Sequence, residues 1–125
     1  MFAQNYLNEE VLSFLKGARW KIVKSDCGLP IVDKSMLLNY NVFNGLNFKS
    51  YSHKGVLISN ENISIQNVKR LSNGYFTFEI KIPLTKKEQQ IFGRVADIHK
   101  YNVIDNNTIK IEYYGCKQVL ERFND

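Results

Sequence analysis

The sequence NISIQNVKRLSNGYFTFEIKI, residues 62–82, holds two runs in which apolar and polar residues alternate, separated by an Asn-Gly pair. Alternation with a period of two is typical of a strand that buries one face, and Asn-Gly is a strong hairpin turn signal. The first run changes phase near Asn67, which indicates a β-bulge. The stretch therefore predicts a hairpin with one apolar and one polar face. Its apolar face comprises Ile63, Ile65, Phe76, Phe78, Ile80 and Ile82.

A helix is predicted directly after this hairpin. Thr85 and Glu88 have the spacing of a capping box, in which each side chain bonds a backbone N–H of the first helical turn. We expect the helix to end near Lys100. Its predicted buried stripe comprises Ile91, Phe92, Val95 and Ile98.

The last part of the chain predicts a second hairpin and a closing helix. Residues 101–104 and 108–114 alternate around a turn at residues 105–107. After Gly115, the spacing of apolar residues in 116–123 predicts a short helix.

Upstream of the hairpin, residues 5–16 have helical spacing, and Gly17 stands where a C-terminal cap belongs. Residues 19–25 alternate as a strand does, with Trp20 and Ile22 on one face. Residues 26–60 form a variable region. Within it we expect Asp33 to cap a short helix over residues 34–40, a turn at Asn44-Gly45, and strands at 46–51 and 55–58 around the turn His53–Gly55.

The predicted order is helix, strand, variable region, hairpin, helix, hairpin, helix. This order indicates the α+β class, with an antiparallel sheet packed against helices. No repeat or linker divides the sequence, so we expect a single domain over residues 1–125.

Composition excludes several classes of protein. The 125 residues are 44% hydrophobic, which excludes a disordered chain, and they hold no apolar run of the roughly 18 residues that a membrane helix needs. The N-terminus lacks a signal-peptide pattern, so we expect a soluble, cytoplasmic protein. Cys27 and Cys116 form no CxxC motif, which disfavours a disulfide framework and a zinc site. We expect no cofactor and no metal.

Charge and the polar hairpin face together permit nucleic-acid binding. Lys and Arg total 17 against 12 Asp and Glu, a net charge of +5. Amides, hydroxyls and cations on a sheet can read base edges and hold phosphates, although a solvated sheet face shows the same pattern. His53 and His99 lack the partner pattern that a catalytic base needs. We expect Cys27 to be a buried thiol and Cys116 to stand at the N-terminus of the closing helix, where the pKa of a thiol can be lowered.

The run YFTFEIKIPLTKKEQQIFGRVADIHKYNVIDNNTIKIEYYGCKQVLERF, residues 75–123, resembles the body of a LAGLIDADG homing endonuclease repeat. In such a repeat a strand of the DNA-facing sheet leads into a helix, a hairpin, and a strand that enters a short helix. The resemblance implies a half-saddle fold. It also implies that residues 11–20 end the family's first helix, where Lys16, Ala18 and Arg19 replace the metal-binding acid.

The resemblance with its lost acid implies a non-cleaving relative. Such a protein would bind double-stranded DNA sequence-specifically as a homodimer on a pseudo-palindromic site, as a transcriptional repressor or regulator of a phage or mobile element in a bacterial or phage-infected cell. The expected dimer interface is Leu12, Ser13 and Gly17. The expected phosphate contacts are Arg19, Lys21, Lys49, Lys54, Lys69, Arg70, Lys81 and Lys110, and the expected base-reading residues are Asn62, Ser64, Gln66, Tyr75 and Thr77.

Two alternatives remain open at this point. One is an active Mg²⁺-dependent nuclease that uses Glu79 and Lys81, an acid-x-Lys strand motif, or displaced acids at Glu9, Glu10 or Asp26. The other is a small immunity or anti-defence inhibitor that binds a protein partner through the exposed patch expected at residues 36–48.

Overall fold

The computed structural model describes residues 2–26 and 37–123, with side chains from residue 7 onward. Two helices and nine strands occur in this part of the chain. The helices are α1 (Phe2–Leu15) and α2 (Lys86–Phe92). The strands are β1 (Arg19–Asp26), β2 (Tyr40–Asn44), β3 (Asn47–Tyr51), β4 (Leu57–Asn62), β5 (Ser64–Arg70), β6 (Phe76–Pro83), β7 (Ala96–Asp105), β8 (Thr108–Tyr113) and β9 (Cys116–Phe123).

The strands form one antiparallel sheet in the order β4-β3-β2-β1-β9-β8-β7-β6-β5. Its two edge strands, β4 and β5, are separated in sequence by Ile63 alone, so the sheet must curl until its edges meet there. The backbone N–H of Ile63 donates to the carbonyl of Leu46 at 2.8 Å. Residues 57–70 therefore act as one long, kinked strand that pairs with β3 through its first half and with β6 through its second. The result is a strongly curled half-barrel.

The inner face of the curled sheet carries the core, because alternate residues of each strand point inward. The strand β6 shows this plainly, since all four apolar residues predicted for its buried face are 9% exposed or less. Aromatic rings fill the middle of the interior, where Tyr101 lies 5.1 Å from Phe78 and 6.3 Å from Phe43 between ring centroids.

One end of the half-barrel, here called the closed end, is plugged by α1. Val11 and Leu15 of this helix are fully buried. The ring of Trp20 lies beneath them, and its Nε1–H donates to the carbonyl of Leu15 at 3.1 Å. The guanidinium of Arg122 lies 4.5 Å from the Trp20 ring and donates to the carbonyl of Phe14 at 2.9 Å.

The α+β half-saddle predicted from the sequence is wrong, because the fold is a curled antiparallel sheet with only two helices among the described residues. Residues 116–123 form the strand β9, which is paired on both sides, with β1 and with β8. Because β9 is paired on both sides, its backbone hydrogen bonds are satisfied within the sheet. This pairing outweighs the helical spacing of its apolar residues. The helix predicted over residues 34–40 is wrong at its end, because Tyr40 begins β2. The part of that prediction up to residue 36 lies outside the described residues.

The predicted helix after Thr85 is confirmed at its start and wrong at its end. Thr85 and Glu88 form the capping box, with the Glu88 N–H donating to Thr85 Oγ1 at 3.2 Å. The helix stops at Gly93, whose φ of 70° lies in the left-handed region. The predicted buried stripe is wrong at Ile91, Phe92 and Val95, which are 65%, 52% and 66% exposed.

Most other local predictions are confirmed, but the strand predicted at residues 55–58 begins at Leu57 and continues to Asn62. Helix α1, strand β1 and both hairpins occur where the sequence places them, as do the turns at Asn44-Gly45 and His53–Gly55. The bulge is also present, since the β5–β6 pairing shifts between Gln66 and Lys69 and Asn67 has a φ of 54°.

Candidate functional site

A cavity of about 400 Å³ lies inside the half-barrel, at the end opposite α1. This open end is where the β3–β4 connection, α2 and the β8–β9 turn lie. The cavity has the size of a small-molecule site, for which about 300–1,000 Å³ is typical. Eight of the nine strands contribute to its wall, so the curl of the sheet creates it.

The inner face of β7 changes from apolar to polar along the strand. Val103 and Tyr101 belong to the buried core, whereas His99 and Asp97 are only half-buried and line the cavity. Tyr101 stands at the boundary and forms part of the cavity floor. The interior is therefore a filled core near α1 and a polar pocket near the open end.

Several polar groups of the cavity wall are already satisfied within the protein. The Ser50 hydroxyl donates to Asn41 Oδ1 at 3.0 Å, and Gln118 Nε2 lies 3.5 Å from Ser25 Oγ. Asn41 and Gln118 are 8% and 5% exposed, so these bonds offset the cost of burying two amides.

Other polar groups of the wall have no hydrogen-bond partner among the described residues. Tyr101 is 3% exposed, yet its hydroxyl makes no hydrogen bond. The hydroxyl oxygen is nevertheless not among the buried, unbonded polar atoms that have no contact with solvent. Tyr101 lines the cavity, and its position on β7 belongs to the inner face of the sheet. Glu61, His99 and Tyr113 line the same space and also lack hydrogen bonds and ion pairs. Unpaired buried polar groups are costly, and groups that converge on a cavity are typical of ligand sites.

Three carboxylates meet at the cavity wall, from three different elements: Glu61 of β4, Glu88 of α2 and Asp97 of β7. Burial raises the pKa of Glu61, and the negative charges of Glu88 and Asp97 raise it further. Arg94 donates to Asp97 Oδ1 at 2.7 Å and forms an ion pair with that carboxylate.

The rings of His99 and Tyr113 stack in the cavity wall, with centroids 4.4 Å apart and an interplanar angle of 23°. Burial lowers the pKa of His99, against an opposing effect of Asp97, so the imidazole is neutral at pH 7. Burial also raises the pKa of Tyr113. The pair presents an uncharged aromatic surface.

The rim of the open end carries exposed apolar side chains. Val56, Leu57 and Ile58 of the β3–β4 connection and β4 are 50% or more exposed, and Phe92, at the end of α2, is 52% exposed.

The predicted DNA-binding residues are spread over several strands and turns of the sheet. Lys49 on β3 and Lys81 on β6 lie on the two strands that pair with the first and second halves of residues 57–70. Several predicted contacts already have partners: Arg70 pairs with Glu10, Gln66 donates to Glu79 at 3.0 Å, and Lys21 Nζ lies 4.0 Å from the Phe123 ring. Other members of the set are exposed: Arg19, Lys54, Asn62, Ser64, Lys69, Lys81 and Lys110, while Lys49, Tyr75 and Thr77 are half-buried.

The residues of the other predicted sites differ in burial and in their partners. Glu79 accepts a second hydrogen bond, from Asn67 at 2.6 Å, and no group of three His, Cys, Asp or Glu side chains in the described ranges is placed to hold a metal ion. Within the expected patch of residues 36–48, Phe43 is buried and Leu38 is exposed. In the expected dimer interface Leu12 is half-buried, whereas Ser13 and Gly17 are exposed.

Cys116 begins β9 and is disulfide-bonded, so it is neither at a helix N-terminus nor a free thiol. Cys27 lies outside the described residues.

No protein-family model, curated protein or solved structure matches this chain. Among the described residues, neither helix is long and apolar enough to cross a membrane.

The sequence did not predict the cavity. The sequence pattern that could have predicted it is the alternation Asp97-x-His99-x-Tyr101-x-Val103. This alternation is recognised as a strand only if polar residues are allowed on the inner face. A search for apolar alternation passes over it.

Proposed function

We propose that this protein binds a small organic molecule in the cavity of its half-barrel. One observation carries the proposal: Tyr101, Glu61, His99 and Tyr113 line a space of about 400 Å³ and make no hydrogen bond or ion pair within the described protein. Small antiparallel barrels either fill their interior with side chains or hold one ligand there. Here side chains fill the half of the barrel near its closed end, and the half near the open end contains the cavity.

The cleanest test concerns the Tyr101 hydroxyl. A buried hydroxyl that supports the fold costs about 1 kcal/mol when removed, because its hydrogen bond is lost. Since this hydroxyl has no bond in the described protein, we expect Tyr101→Phe to leave the midpoint of urea unfolding unchanged or to raise it. The same variant should weaken the binding of small aromatic fragments, measured by ligand-observed NMR.

A cavity-filling variant gives the matched control. Ser59→Phe places a ring in the cavity wall and should abolish fragment binding, whereas Ser64→Phe, at an exposed position of β5, should preserve it. If neither Tyr101→Phe nor Ser59→Phe changes fragment binding, the cavity is not the site.

A second candidate function is binding to a nucleic-acid backbone, which one observation favours. Lys69, Lys100 and Lys110 line a shallow depression of about 600 Å³ on the outer face of β5–β8, although Glu79 and Glu112 line it too. Lys100 was not among the residues expected to bind DNA. The sequence-specific, dimeric repressor stays a prediction.

This second function predicts salt-dependent affinity for duplex DNA. Replacing all three lysines by glutamine should reduce the slope of log affinity against log salt by about 0.9 for each phosphate that the variant no longer neutralises. Fluorescence anisotropy with a random duplex measures this slope. Absence of binding by the wild-type protein at about 50 mM salt removes the second function from consideration.

A further inference from the structure

We propose that the ligand of the cavity is a small organic cation, whose ammonium group pairs with Glu61 while its apolar part lies against the His99–Tyr113 stack and the cavity floor. This inference rests on the function proposed above. It specifies the chemical class of ligand that the cavity would bind.

The charge of the cavity wall is opposite to that of the molecule. The chain has a net charge of +5, yet no lysine or arginine occurs among the described residues that line the cavity, which include three acids. Arg94 pairs with Asp97, so Glu61 and Glu88 are the two carboxylates of the described wall without a cationic partner. An anionic ligand would meet repulsion from these two carboxylates, whereas a cation gains attraction.

Glu61 is the carboxylate that lacks a partner. Glu88 Oε1 accepts the N–H of Thr85 in the capping box, and Asp97 is held by Arg94. Glu61 makes no ion pair or hydrogen bond within the described chain, and burial already disfavours its charge. A ligand ammonium would supply the missing countercharge.

The Tyr101 hydroxyl is the independent observation that a ligand enters this space. The residue is 97% buried, since 3% of its surface is exposed. It lines the cavity, and its hydroxyl makes no hydrogen bond in the described chain. A hydroxyl can accept a hydrogen bond from an ammonium group or donate to a ligand oxygen.

The remaining surface of the cavity suits an organic cation better than a metal ion. The floor and walls include Ile22, Phe48 and Ile82, and the stacked pair of His99 and Tyr113 adds two aromatic rings. Aromatic faces attract organic cations, whereas a metal ion needs a compact set of ligand atoms, which the described residues do not provide.

The test uses three probes of matched size and different charge: phenethylamine, hydrocinnamyl alcohol and hydrocinnamate. Isothermal titration calorimetry at pH 7 measures the affinity of the wild-type protein for each. We expect phenethylamine to bind most tightly and hydrocinnamate least tightly. Glu61→Gln keeps the shape of the side chain and should weaken phenethylamine binding by about tenfold while leaving the alcohol unaffected.

Glu112→Gln is the matched control, because this carboxylate is 60% exposed on the outer face of β8 and pairs with Lys117 at 3.9 Å. It should change no affinity. If the alcohol or hydrocinnamate binds as tightly as the amine, or Glu61→Gln has no effect on the amine, the inference is overturned and the small-molecule function stands. If no probe binds and the fragment screen with Ser59→Phe is also negative, the proposed function itself fails.

Discussion

Replacing Trp20 by alanine is expected to lower the free energy of unfolding by about 3–5 kcal/mol, a large part of the roughly 5–15 kcal/mol typical of a domain. Trp20 is fully buried where α1, β1 and β9 meet. Its ring lies 5.6 Å from that of Phe14 and 4.5 Å from the Arg122 guanidinium, and its N–H holds the Leu15 carbonyl. Alanine leaves a cavity that these groups cannot close.

Urea unfolding followed by far-UV circular dichroism measures this loss. Trp20→Phe, which keeps most of the ring but loses the N–H, should cost about half as much or less, because one hydrogen bond and part of the volume are removed. A loss below about 1 kcal/mol for Trp20→Ala would contradict the assignment of Trp20 to the centre of the closed end.

Replacing Arg122 by methionine is expected to cost about 2–4 kcal/mol, although the side chain lies near the end of the last strand. Its guanidinium bonds two separate elements, donating to the Asn106 carbonyl at 2.7 Å and to the Phe14 carbonyl at 2.9 Å. The same group lies over the rings of Phe14 and Trp20. Methionine keeps the apolar stem, so the loss isolates the charged group.

Lys117→Met on the same strand is the control for Arg122→Met. Lys117 is 74% exposed and makes one long ion pair, so its replacement should change stability by about 0.5 kcal/mol or less. Arg122→Lys should rescue only part of the loss, because an ammonium cannot bond both carbonyls in the fixed directions of a guanidinium. Equal stabilities of the two methionine variants would show that Arg122 does not fasten α1 to the sheet.

The sequence predicted local structure well where one turn or one alternation decides it. The β5–β6 hairpin follows from the Asn-Gly turn and from Phe76, Phe78 and Ile80 on one face. The capping box of α2 was equally readable. These features depend on residues close in sequence, whose physical chemistry needs no tertiary partner.

The first half of β7 and the whole of β9 escaped prediction for a reason connected with the cavity. Their inward positions include Asp97, His99 and Gln118, which line a polar space instead of an apolar core. A polar residue at a buried position breaks the alternation of apolar and polar residues by which a strand is recognised. The cavity-lining residues therefore make their own strands harder to predict from the sequence. The class of the fold was therefore wrong although most of its pieces were correct.

The pairing of β1 with β9 joins Arg19 to Phe123, nearly opposite ends of the chain, in the middle of the sheet. No neighbouring turn can bring these strands together, and the entropy of closing so long a loop must be overcome before their hydrogen bonds form. Proteins dominated by such distant pairings fold in milliseconds to seconds, whereas helical bundles fold far faster. The seam between the first and last strands thus makes this small protein a slow folder, and the polar cavity beside it forms only once the whole chain is in place.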